Sequence, residues 1–340
     1  MKNVAMRLIA AVTFCLLAAS LLAASANAQQ SPIVMKLGTA SLNDAQHEFL
    51  RRYSEAINTR SNGRIKAEVY PSGQLGPIPR EIEGVQLGGI QGFATPAEFF
   101  EGVDPRFQVL TAPGIFQDME HADRVLKDPK FRELFFQLGS SRGLVIGAYF
   151  LSGPTALNSR TPIKDVGDIK NMKLRVMASA MQTMPIRALG ASPVPMALGD
   201  VLPALQQGTI DGAQSVLTTL TGLRFYDAAK YITETDFSMT VSAFVLSKVW
   251  LDKLPDDLRK IVVDSATEIG DALQPWISQY YAEQRKAWQA AGGTVLQLSP
   301  EQRARTMQEL NVVAQQVVDA NKTIADAYQV VVDAAARTKK

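Results

Sequence analysis

Strand and helix patterns alternate along nearly the whole chain, and no other feature limits its fold as sharply. Ile33 to Leu37 reads as a short strand. Asn43 to Ser61 follows as a helix, with Phe49, Leu50, Tyr53, Ala56 and Ile57 at helical spacing and a stop at Asn62-Gly63. Ile65, Ala67 and Val69 then alternate as a second strand. A helix between two strands carries the chain back to the same end of a sheet, so these strands are expected to run parallel. The pattern recurs in a helix near Pro79 to Leu87, a strand at Ile90 to Ala94, a helix from about Met119 to Leu138 and an apolar strand at Leu144 to Phe150.

A second series begins after Ser152-Gly153-Pro154. It comprises a strand at Met172 to Met177, a helix at Ala180 to Leu189, an extended piece at Ser192 to Met196, a helix at Asp200 to Gln207 and a strand at Thr209 to Ala213. Ser238 to Ser247 reads as a long strand. One helical pattern from Pro255 to Ala291 is interrupted only by Pro275, where it either kinks or continues as a spine across the molecule. Thr294 to Leu298 is a last strand, and the chain is helical from Pro300 onward. At 340 residues the chain is too long to be comfortable around one core, so two α/β domains are expected.

Residues 1 to 28 combine Lys2 and Arg7, an apolar run from Leu8 to Ala24 and the small-residue site Ala26-Asn27-Ala28. This is the pattern of a secretory signal peptide, expected to be removed after Ala28. The rival reading is an uncleaved anchor, because the uncharged stretch runs on to Lys36. Cys15, the single cysteine, lies inside the apolar run, so the exported chain has no disulfide, thiolate nucleophile or cysteine metal ligand. A large disulfide-free exported chain fits a bacterial periplasm. The net charge of +2 is that of Lys2 and Arg7, and the balanced remainder argues against a nucleic-acid-binding surface.

Catalytic signatures are missing. The sequence holds no G-x-S-x-G elbow, no G-x-x-x-x-G-K-[ST] loop, no H-E-x-x-H and no G-x-G-x-x-G after a strand. His47 and His121, the two histidines, read as lone surface residues on helices. Asp256-Asp257 follow Pro255 at a helix start, where negative charge favours the helix dipole.

Arg175 is the informative residue. In Met172 to Met177, alternation puts Met172, Leu174 and Val176 on one face of a strand and Lys173, Arg175 and Met177 on the other. Either that second face is a solvated basic one, or Arg175 points from the strand end into an interdomain cleft, where α/β sheets bind their ligands. There its planar guanidinium would clamp a carboxylate through two parallel hydrogen bonds.

Leu174-Arg175-Val176-Met177-Ala178-Ser179, then Gly190-Ala191-Ser192-Pro193-Val194-Pro195-Met196, then the run from Asp200 to Gly212 resemble the core signature of solute-binding proteins of tripartite ATP-independent periplasmic (TRAP) transporters. Val69-Tyr70-Pro71-Ser72-Gly73-Gln74-Leu75-Gly76 with Arg80-Glu81, and Leu254-Pro255 with the long helix, are similar to the same family. The resemblance implies an α/β, two-domain periplasmic binding protein of the Venus-flytrap kind with a long domain-spanning helix. The expected division is 29–152 with about 240–275, and 153–239 with about 276–340 including the C-terminal helices.

The resemblance also implies a monomeric receptor, without enzyme activity, cofactor or metal, that takes a small organic acid to TRAP membrane permease subunits and binds no nucleic acid. Arg175 inherits the carboxylate clamp. Gln214-Ser215-Val216 stand where the family often has Asn followed by Pro, so Ser215 and Gln214 are candidate contacts, Ser215 with the shorter reach. Thr155 lies where another arginine is frequent, which implies a ligand with one strongly charged end. Thr39 and Thr95 are the first-domain candidates, and Phe237 either stacks on the ligand or belongs to the core. A receptor for another importer or a sensor kinase, and a metal-free periplasmic α/β enzyme, are the alternatives.

Overall fold

The computed structural model describes residues 31–177 and 179–339, so the expected signal peptide lies outside the described residues. Among them, one sheet contains β1 (Ile33–Gly38), β2 (Ile65–Tyr70), β3 (Gly92–Pro96), β4 (Leu144–Ser159), β5 (Lys173–Val176), β6 (Ser192–Pro195), β7 (Gly212–Val216), β8 (Tyr231–Ser247) and β9 (Thr294–Gln297). Its order is β2-β1-β3-β8-β4-β7-β5-β6, with β9 against β8. At one end β1 pairs in parallel with β2 and β3, through the crossover helices Ala45–Arg60 and Ile78–Leu87. At the other, β5 pairs in parallel with β6 and β7, through Ala180–Ala188 and Leu198–Gln207. Both ends follow the strand-helix-strand expectation.

The middle does not. β4 and β8 lie antiparallel along their whole length, from Leu144 opposite Ser247 to Ser159 opposite Tyr231. β8 also pairs with β3, and β4 with β7, so these two long strands join both parallel ends into one mixed sheet. β4 runs straight through Ser152-Gly153-Pro154, where a break was expected. Register shifts between Leu151 and Gly153 and between Pro154 and Ala156 absorb the irregularity, with Gly153 at φ 137°. A proline cannot donate to a ladder, and a bulge is where a sheet tolerates one. β8 begins at Tyr231 rather than Ser238, because polar Thr233, Glu234 and Thr235 hide the alternation of its buried first part. β7 starts at Gly212, later than the expected Thr209, after Gly208 closes the preceding helix at φ 72°.

Two expected helices are divided by proline. The pattern from Met119 to Leu138 becomes Met119–Leu126 and Pro129–Phe135, the latter capped by Asp128. The pattern after Pro255 becomes Asp256–Ala272 and Gln274–Ala290, meeting at Leu273, since Pro275 has no N–H for the carbonyl of Asp271. The first piece packs on β4 and on Ala45–Arg60, the second on β4, β9 and the short helix Leu217–Gly222. Together the two pieces therefore touch both ends of the sheet.

Pro300–Asp319 and Lys322–Thr338 complete the fold, and the last helix covers Met119–Leu126. That cover overturns the surface reading of His121, which is 2% exposed. Its Nδ1 accepts from the Gln117 N–H at 3.0 Å, and Nε2 donates to the Ala335 carbonyl at 2.9 Å. Polarity on a helix face says nothing of which later helix will pack there.

The larger core centres on Phe49, which stacks on Phe150 at 4.6 Å and meets Phe244 at 4.9 Å. A smaller core on the other side holds Leu205, Ile210, Leu217, Leu220, Ile232 and Trp288. Trp288 is fully buried, lies edge-on to Tyr226 at 5.5 Å and donates Nε1–H to the Lys230 carbonyl at 3.1 Å. Trp288→Ala is expected to destabilise the protein by about 3–5 kcal/mol. Urea unfolding followed by circular dichroism should show a lower midpoint, and an unchanged midpoint would contradict this packing.

Candidate functional site

The strand ends of the sheet converge on one small pocket, about 20 Å³ in volume. Ala40 follows β1, Thr95 and Pro96 end β3, Arg175 and Met177 lie at the end of β5, and Ser215 and Val216 end β7. Parallel strands from both ends of the sheet point their carboxyl ends here, which is why residues so distant in sequence meet.

Arg175 sits on a strand whose Leu174 and Val176 enter a core with Leu157 and Ile186. Alternation sends its own side chain to the opposite face, toward the pocket. It is 2% exposed, which excludes the solvated basic face. Nε donates to the Met196 carbonyl and Nη1 to the Gln214 carbonyl, both at 3.0 Å. Neutral carbonyls thus orient the guanidinium without cancelling its charge. Among the described residues Nη2 has no hydrogen-bond partner, and two parallel donors of a guanidinium are what a carboxylate requires. Burial lowers Arg175 to about 10, so it stays cationic at neutral pH.

Glu98 is the anionic counterpart. It lies in the tight turn Ala97–Phe100 after β3, fully buried, with neither carboxyl oxygen hydrogen-bonded among the described residues. Burial pushes it up to about 8, while nearby Thr111 and Arg175 pull the other way. At neutral pH it is mainly a neutral acid, so the pocket keeps one net positive charge.

The roof comes from both ends of the sheet. Asp44 caps the helix Ala45–Arg60 with Oδ1, while its Oδ2 accepts from Thr219 Oγ1 at 2.7 Å. Tyr280 donates to the Asn43 carbonyl at 2.8 Å. A Cβ on Gly222 would stand 2.2 Å from the Leu42 carbonyl oxygen, so only glycine allows Leu217–Gly222 to approach this loop. Beneath the roof, Gln46 Oε1 accepts from Thr39 Oγ1 at 3.1 Å, and its Nε2 donates to Ser242 Oγ at 3.0 Å.

Of the residues singled out from the sequence, Arg175, Ser215 and Thr95 line the pocket. Thr39 stands behind it and orients Gln46. Thr155 lies on β4 and donates to the Ser238 carbonyl at 3.1 Å, away from the pocket lining. Gln214 supplies its backbone carbonyl to Arg175, while its side chain turns into a separate gap beside Gln182 and Phe237. Phe237 packs with Leu298 and Leu310. Gln46, Thr219, Thr240 and Glu98 were missed. The first two are polar residues of first helical turns, indistinguishable in sequence from solvated ones. No group of three histidine, cysteine or acidic residues suited to a metal occurs among the described residues.

A pocket at converging strand ends, beneath a roof drawn from both ends of the sheet, is the design of a bacterial binding protein. Residues 38–321 match the model of bacterial extracellular solute-binding protein family 7, DctP, and the chain belongs to that family. Similar proteins include the 2,3-diketo-L-gulonate-binding periplasmic protein YiaO of Escherichia coli, 27% identical over 79% of this chain and 82% of its own. The C4-dicarboxylate-binding periplasmic protein DctP of Vibrio cholerae is 26% identical over 88% of this chain and 92% of its own. The sugar acid binding protein DctPAm of Advenella mimigardefordensis, solved with galactonate, superposes with a TM-score of 0.84 at 26% identity, covering 91% of this chain and 99% of its own. A TRAP solute-binding protein of Desulfovibrio salexigens, solved with orotic acid, shares the fold at a TM-score of 0.83 and 24% identity, over 90% and 99% of the two chains.

The burial of Glu98 has a consequence for stability. Its carboxyl titrates near pH 8 in the folded protein and near its ordinary value, about 4.3, when unfolded, so the folded form holds the proton more tightly. That stabilisation is complete below the unfolded value and is lost as pH rises toward 8. Glu98→Gln, which cannot titrate, is expected to melt close to the wild type at pH 4.5 and above it at pH 8, by on the order of a few kcal/mol. Calorimetric melting across that range checks it, and a difference independent of pH would contradict the assignment.

Proposed function

We propose that the protein is a periplasmic receptor that encloses a small organic acid in this pocket, pairs its carboxylate with Arg175 and delivers it to the membrane subunits of a TRAP transporter. The observation that carries the reading is a buried guanidinium held by two neutral carbonyls, its Nη2 without a partner among the described residues, lining a small pocket at the strand ends. The organic acids named for relatives and solved neighbours support it. Ser215, Thr95 and Thr240 are the further ligand contacts. The two ends of the sheet act as the two domains, swinging about the irregular middle of β4 and β8, and the Asp44–Thr219 contact closes the cleft.

Arg175→Ala is expected to weaken binding of any acid that raises the wild-type melting temperature by roughly 2–5 kcal/mol, because a desolvated carboxylate loses its partner. Arg175→Lys keeps the charge but loses the planar fork, and should recover only part of the loss. Titration calorimetry measures both; an Ala variant within threefold of wild type would sink the clamp.

Closure has its own test. Gly222→Val should leave the melting temperature of the free protein nearly unchanged yet keep the cleft open, because any side chain there meets the Leu42 carbonyl. Small-angle scattering should then show compaction by ligand in the wild type and none in the variant. Equal compaction in both would refute this role for Gly222.

A further inference from the structure

The pocket's polar groups are unequal in kind, and the inequality bears on which acids fit. Among the described residues that line it, Arg175 is the only charged one. Glu98, buried beside the same guanidinium, is mainly a neutral acid and supplies no cation for a second carboxylate. Two hydroxyls, Thr95 Oγ1 on β3 and Thr240 Oγ1 on β8, are buried, line the pocket and have no partner among the described residues. A hydroxyl both donates and accepts, so two of them suit a neutral oxygen, either a hydroxyl or a carbonyl, rather than demanding a charge. Ile78, Phe99, Met177 and Leu198 supply apolar wall.

We propose that this pocket selects singly charged hydroxy- or oxo-acids and rejects dicarboxylates, with Arg175 on the carboxylate and the Thr95 and Thr240 hydroxyls on the ligand's neutral oxygens. The inference rests on the acid-receptor reading above and goes beyond it in assigning the charge of the ligand. One carboxylate balances Arg175 and leaves the pocket neutral. A second carboxylate would be buried with no cation among the lining residues, and a buried charge is tolerated only when paired. An uncharged oxygen placed there instead gives the two threonines the partners they lack.

The test compares acids of matched length by titration calorimetry on the full exported chain: 2-hydroxybutyrate and 2-oxobutyrate against malate and succinate, with gluconate as a longer hydroxy-acid and butyrate as the deoxy control. The tightest hydroxy- or oxo-acid is expected to bind at least about 30-fold more tightly than either dicarboxylate, in keeping with the discrimination a missing charge partner produces. Thr95→Val with Thr240→Val is expected to weaken that acid about tenfold or more and to change butyrate less than threefold, a difference that a merely structural role would not create. Malate or succinate binding within threefold of the best monocarboxylate would overturn the inference while leaving the receptor reading intact. An equal loss for hydroxy-acid and butyrate in the threonine variant would overturn the hydroxyl contacts. Failure of every acid, of either charge, would remove the receptor reading and this inference with it. Should the double variant not fold, the comparison of acids on the wild type still decides the charge rule.

Discussion

The antiparallel pairing of β4 with β8 is the constraint on which the rest of the molecule depends. Each end of the sheet is a small parallel α/β unit that could bury only part of its own strands. The two long strands give both units a common spine, and the carboxyl ends of β1, β3, β5 and β7 consequently face one another. Two of the three irregularities in the ladder fall near Gly153 and Pro154, between the two ends. In the proposed closure, scaffold and joint are the same element.

Arg175 imposes the second constraint. Removing a guanidinium from water is costly, and folded proteins usually answer with a carboxylate. Here the answer is two backbone carbonyls and a mostly protonated Glu98, a weaker compensation that leaves the electrostatic field in the pocket available. The site is destabilised so that a carboxylate can complete it, the kind of stored disadvantage expected at functional positions. The core with Leu174 and Val176 holds the strand rigid enough to sustain it.

The parallel ends of the fold were legible because each depends on neighbours in sequence: an apolar face repeating at helical spacing, a stop at Asn62-Gly63, and short alternating strands on either side. Arg175 was legible for a similar reason, since a cation between Leu174 and Val176 must face either solvent or a cleft. The β4–β8 ladder was not, because its partners are far apart in the chain and its polar stretch around Thr233 to Thr235 follows no alternation that marks a buried strand. Pro154 and Pro275 were visible, but sequence alone did not say that the first would be absorbed by a bulge and the second would divide a helix at Leu273. Glu98 and Gln46 escaped because their burial comes from long-range packing: Glu98 lies beside Arg175 of a distant strand, and Gln46 binds Ser242 across the sheet. His121 failed for the same cause, its cover being the last helix of the chain.

Asp44 carries a kinetic consequence. One of its oxygens caps its own helix through that helix's own N–H groups, so the carboxylate is held in place independently of Thr219. The roof is then held by that threonine hydroxyl on a ready acceptor and by Tyr280 on the Asn43 carbonyl, two hydrogen bonds that opening would exchange for water. Such contacts add little to the barrier against opening. The time a solute spends inside is therefore governed by its own grip on the strand ends, which lets one scaffold retain a well-matched acid for long periods while shedding poor ones quickly.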